Sequence, residues 1–137
     1  MIGLDTNVLI RYLAQDDPRQ AALANQLIER VLSAERPGFI SSIALVELVW
    51  VLESAYDCDR AQVSSILQQL LRTKALVVEQ AAVAWQAVRL FANGKADFSD
   101  CMIERADHAN GCSHTLTFDR LAAKGAGMRL LDDGAVG

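Results

Sequence analysis

A chain of 137 residues has room for one hydrophobic core, and its 52% hydrophobic against 22% charged residues excludes a disordered polymer. The formal net charge of −4 excludes a protein that grips nucleic acid by bulk positive charge, but not an enzyme that meets it through a bound cation. A mean hydropathy of +0.17 leaves apolar surface to spare, which suits a homodimer.

The opening "MIGLD" reads as a short strand ending in an acid, and "TNVLIRYLAQ" as a helix with Val8, Leu9, Tyr12 and Leu13 at helical spacing. Asp16 and Asp17 before Pro18 start a second helix, apolar at Ala21, Ala24, Leu27, Ile28, Val31 and Leu32 and stopped by Pro37-Gly38. "FISS" is a brief strand whose Ser41 or Ser42 caps the apolar helix "IALVELVWVLESAY". Asp59 opens an amphipathic helix, "LVVEQ" is a strand, and "AAVAWQAVRLFANG" is a helix ended by Gly94. Then come a helix from Phe98 or Ser99 to about Asn110 with Gly111 as its stop, a strand in "SHTLTFD", a helical turn in "RLAAKG" and a last strand in "MRLLDD". Short β-like runs alternating with helices predict an α/β fold, a mainly parallel central sheet flanked by helices in three layers.

The N-terminus has no basic region before its apolar residues, and no apolar run approaches the roughly 18 residues that span a bilayer. With three cysteines, Cys58, Cys101 and Cys112, in no paired framework, a soluble cytoplasmic protein with no membrane association is expected.

Ligands of open parallel sheets bind beyond the carboxyl ends of strands, where Asp5 and Asp119 stand. Asp97 and Asp100, three residues apart, share one face once their helix has begun. Glu47 lies among Leu45, Val46, Leu48 and Val49, so its carboxylate is expected to be at least partly covered, and a buried acid must be paired, protonated or bound to metal. Each acid also has a plain reading as a helix cap or a solvated side chain. Converging carboxylates about 4 Å apart repel by about 4 kcal/mol at an effective dielectric of 20 and need a counter-ion, for which oxygen ligands suit Mg²⁺ or Mn²⁺. Such a site hydrolyses phosphodiesters without a Ser, His or Cys nucleophile. Arg11, Lys74, Lys95, Arg105, Arg120 and Lys124 are candidate phosphate contacts or solvated surface.

On "LDTNVLI", "SSIALVELVWVLE", "ADFSDCMIERADHANGC" and "TLTFDR", in that order, the chain resembles the PIN-domain nucleases, and among them the VapC toxins of toxin–antitoxin pairs. The resemblance implies a PIN domain over residues 1–132, followed by a tail at 133–137. It places the family's acidic tetrad on Asp5, Glu47, Asp100 and Asp119, with Asp97 a fifth acid at the edge of the metal site. Spacing does not decide whether Asp97 or Asp100 is the direct ligand; the helix motif favours Asp100. Thr6, Asn7 and Thr117 resemble polar residues that orient the ligands. Also implied are Mg²⁺- or Mn²⁺-dependent cleavage of structured RNA such as tRNA, a homodimer, inhibition by a VapB-type antitoxin, and contact with operator DNA only through that antitoxin.

Rival readings are weaker. A haloacid-dehalogenase-type phosphohydrolase needs a second Asp two residues after the first, and Asn7 stands there. A zinc site of Cys101, His108, Cys112 and His114 lacks the usual ligand spacing. A catalytically silent PIN-like binding module would be marked by loss of a tetrad acid, and none is lost.

Overall fold

The computed structural model describes residues 1–134 and 136–137, so the expected tail includes one position, 135, outside the described residues. The chain divides into two compact units, Met1–Ala81 and Ala82–Gly137.

In the first unit the strands β1 (Ile2–Gly3), β2 (Gly38–Ile40) and β3 (Leu76–Val78) pair in parallel in that order, Ile2 opposite Gly38 and Gly38 opposite Leu76. Parallel neighbours need a crossover. Here α1 (Thr6–Ala14) and α2 (Pro18–Gln26) join β1 to β2, and α3 (Ser42–Ala55) and α4 (Arg60–Arg72) join β2 to β3. Acids and a serine start these helices: Asp17 accepts from the Gln20 amide, Ser41 from the Ala44 amide, and Asp59 forms a reciprocal capping box with Gln62. Leu9, Ile40, Leu45, Leu48, Val63 and Leu67 are fully buried, each contributing about 1.5–3 kcal/mol of hydrophobic stabilisation. Gly38 has a packing reason, because a Cβ there would sit 2.8 Å from a methyl carbon of both Leu4 and Leu32.

The second helix departs from its expected course. After Gln26 it widens into a π turn, Leu27–Val31, closed by the Leu32 amide on the Leu27 carbonyl at 2.8 Å, and it ends six residues short of Pro37. With the wider turn Leu32 and Ile28 are buried, while Val31 of the expected apolar face turns out to solvent.

The second unit holds α5 (Ala81–Asn93), α6 (Phe98–Ala109), β4 (Leu116–Thr117), α7 (Arg120–Ala126) and β5 (Arg129–Leu130), with β4 and β5 parallel and Leu116 opposite Arg129. Phe91 and Phe98, both buried, meet edge to face with centroids 5.7 Å apart, which fixes the end of α5 against the start of α6. Gly111, at φ 89°, ends α6 in the left-handed region where a side chain is strained. The α/β alternation is as expected and every strand pair is parallel. The ladder bonds form two sheets, one in each unit, because runs as short as two residues support few ladder bonds.

Candidate active site

The first unit carries Asp5 and Glu47. Leu4 is buried and its amide donates to the Phe39 carbonyl at 2.9 Å, so β1 holds the chain firmly up to Asp5. Asp5 then caps α1, its Oδ1 accepting from the Thr6 amide at 2.8 Å, while the residue itself stays exposed. A cleft of about 310 Å³ is lined by Asp5, Thr6, Asn7 and Glu47 together with Arg11 and Tyr56. Four of the sequence candidates therefore share one concavity. Thr6 is buried and its hydroxyl has no hydrogen-bond partner, an orphaned group beside Asp5 of the kind that completes its bonding when a ligand settles.

Glu47 contradicts one expectation, for it is exposed rather than covered. Helix α3 buries Ala44, Leu45, Leu48, Val49 and Leu52 along one side and leaves Ile43, Glu47 and Trp50 on the other. Ile43 and Trp50 are 83% and 66% exposed, so the apolar neighbours of Glu47 do not shield it.

At the rim of this cleft the Arg11 guanidinium is already engaged. Its Nη1 lies 3.0 Å from Asp16 Oδ1 and its Nε donates to Gln20 at 2.7 Å, and the Tyr56 hydroxyl donates to Asp16 Oδ2 at 2.7 Å. The Tyr56 hydrogen bond, with Arg11 adding to it, holds the Asp16 carboxyl below its ordinary value. Asp16 and Tyr56, 40 positions apart, were not foreseen, and nothing in the sequence links them.

The second unit carries Asp97, Asp100 and Asp119. Asp97 occupies the N-cap position of α6 without making a capping bond, so its plain reading as a helix cap fails. Asp100 lies in the first turn, partly buried. That burial first, then the charges of Asp97 and Asp119, push its carboxyl above the ordinary aspartate value. Asp119 does cap its helix, with Oδ1 accepting from the amides of Leu121 at 2.8 Å and Ala122 at 3.2 Å. Thr117 Oγ1 accepts from the Asp119 amide at 3.0 Å and fixes the turn that carries the acid. Asp100 thus feels the charges of the other two acids of this unit, and capping occupies one oxygen of Asp119.

The donors fit a hard divalent cation in kind, being carboxylates whose mutual repulsion disfavours ionisation of Asp100. They are not drawn into a finished cage: among the described residues no three His, Cys, Asp or Glu side chains are grouped to hold a metal. The zinc alternative finds no support, as Cys101 is buried, Cys112 and His108 are exposed, and the His114 ring lies 2.9 Å from Ser113 Oγ.

Glu104 was also missed. It is 8% exposed within α6, and Arg105 grips it with Nε at 2.6 Å and Nη2 at 3.1 Å. Its place one turn after Cys101 was the available signal.

The PIN domain family model matches residues 2–127. A VapC ribonuclease of Aquifex aeolicus (strain VF5) is 23% identical over 117 residues, covering 85% of this chain and 86% of that protein. The match across nearly the whole length, on a chain whose acids stand at strand ends and helix starts, leads to one statement of kinship: the chain belongs to the PIN-domain family.

Proposed function

We propose that this protein is an Mg²⁺- or Mn²⁺-dependent endoribonuclease, the toxin of a VapBC-type pair, with Asp5, Glu47, Asp100 and Asp119 as its catalytic acids. The observation that carries the reading is Asp100 in the first turn of α6, its carboxyl raised by burial first and then by the charges of Asp97 and Asp119, a repulsion that a cation would relieve. The similarity to a VapC ribonuclease supports the activity class.

In this reading Asp5, Glu47, Asp100 and Asp119 hold the cation, with Asp97 at its edge. Bound Mg²⁺ or Mn²⁺ supplies Lewis acidity toward water and the phosphoryl oxygens. Asp100, the partly buried member of the 97/100 pair, is the better direct ligand, and Asp97 is exposed. Asp5 is oriented by the Thr6 amide and Asp119 by the two amides of α7, so neither has to be ordered when substrate arrives. The unpartnered hydroxyl of Thr6 and the side chain of Asn7 line the cleft beside Asp5 and are open to incoming oxygens, and Thr117 positions Asp119.

The VapC reading brings further proposals: a homodimer, structured RNA such as tRNA as substrate, a VapB-type antitoxin as inhibitor, operator DNA met only through that antitoxin, and a cytoplasmic location. Among the described residues no helix is long and apolar enough to cross a membrane. Cleavage of total RNA by antitoxin-free protein tests the activity. Discrete fragments that need Mn²⁺ or Mg²⁺ and vanish with EDTA are expected; intact RNA with folded, metal-supplied protein would reject the nuclease.

A further inference from the structure

The second unit contains a cleft of about 460 Å³ that no proposed catalytic acid lines. Arg89 of α5, Arg105 of α6 and Lys124 of α7 contribute to its wall, with Gln86 and Asn93 beside them, and no carboxylate is among its described lining residues. Three cations meeting in one concavity are unexpected on a chain of net charge −4, since an even spread would leave each near an acid.

The three are not equivalent. Arg105 is tied by Nε and Nη2 to the buried Glu104, which fixes the guanidinium and leaves its remaining N–H groups available. Arg89 and Lys124 are exposed, and among the described residues no hydrogen bond or ion pair holds either head group. The Asn93 amide nitrogen donates to the Arg89 carbonyl at 2.9 Å and secures the end of α5 from which Arg89 projects. The cleft therefore combines one guanidinium fixed by Glu104 with two exposed cationic side chains.

We propose that this cleft is an exosite for the phosphodiester backbone of the RNA substrate. The inference rests on the nuclease reading and extends it, because a bound cation acts only at the scissile phosphate, and positive charge elsewhere on the molecule strengthens the hold on a long polyanion. A protein segment is the less favoured occupant. Such a partner requires an apolar or aromatic anchor pocket, whereas the cleft offers a single large aliphatic side chain, Leu90, and otherwise charge and amides. Phosphate contacts position a nucleic acid without reading its sequence, so the exosite raises affinity for RNA in general and leaves the cut site to the acidic centre.

The test uses full-length protein and the double variant Arg89→Ser/Lys124→Ser, both positions being exposed; a thermal melt confirms that the variant is folded. Fluorescence anisotropy in EDTA measures binding of a labelled oligouridylate of about 20 nucleotides across a salt series. The variant is expected to bind on the order of tenfold more weakly, and its slope of log affinity against log salt to shrink by about 1.4, the loss of two single-strand phosphate contacts. With metal present, kcat/KM should fall for long RNA and hold for a substrate of about four nucleotides, which has too few phosphates to occupy the cleft and the catalytic acids at once. Unchanged affinity and slope would overturn the exosite, as would equal losses on short and long substrates, or dependence on Arg89 and Lys124 of poly-glutamate binding alone. If wild-type protein cleaves RNA and the variant binds it unchanged, the exosite fails and the nuclease stands; if wild-type protein neither cleaves nor binds RNA, both fail.

Discussion

Asp100 and Asp119 do different physical work, and single substitutions separate them. Burial and two neighbouring carboxylates raise the folded-state pKa of Asp100 above its unfolded value. The folded protein therefore binds this proton more tightly, and the stability so gained is full below the unfolded pKa and lost as pH rises through the folded one. Asp100→Asn removes that loss, so at neutral pH without metal the variant should melt a few degrees higher than wild type, with the gain fading in acid. A variant melting lower at neutral pH would mean that the carboxylate is stabilising. Asp119 instead caps α7 through Oδ1. Asp119→Ala should cost about 1 kcal/mol in urea unfolding, while Asp119→Asn, which keeps an acceptor, should cost a few tenths and still lose cleavage. At this scale the sequence was legible for which residues are acids at strand ends and helix starts. It was not legible for Glu47, because the apolar neighbours of a helical residue say how greasy the helix is and not which side of it is covered.

The elements followed the caps and stops written in the chain wherever a local signal sets the boundary. Asp59 with Gln62, Ser41, Gly94 and Gly111 fall where the helices begin and end. The π turn at Leu27–Val31 has no such signal, since its register comes from packing of the helix on the sheet, where Leu32 and Leu4 converge over Gly38. The consequence is measurable in adjacent residues. Leu32→Ala empties a buried site and should destabilise by about 2–4 kcal/mol, whereas Val31→Ala, on the outward side, should stay within about 0.5 kcal/mol. Similar costs for both would show that the helix continues with α spacing. Capping also limits what a motif can say: Asp119 fits both the cap and the catalytic role, whereas Asp97 stands at a cap position, exposed and making no capping bond.

For the whole molecule, composition marked an acidic chain and said nothing of where its cations gather. Of the six basic residues read as phosphate contacts or surface, Arg11 is engaged by Asp16, while Arg105 and Lys124 share a cleft with Arg89, which the sequence did not single out. That grouping depends on three helices packing together and has no linear trace. The proposed catalytic acids are likewise far apart in the chain, from Asp5 to Asp119. Their most direct test is metal-dependent RNA cleavage by four variants, Asp5→Asn, Glu47→Gln, Asp100→Asn and Asp119→Asn, each checked for folding by thermal melt. The account predicts that all four stay folded and that each loses more activity than the roughly 10–100-fold typical of groups that merely support a ligand. Full activity in any of the four variants would contradict the catalytic role proposed for that acid.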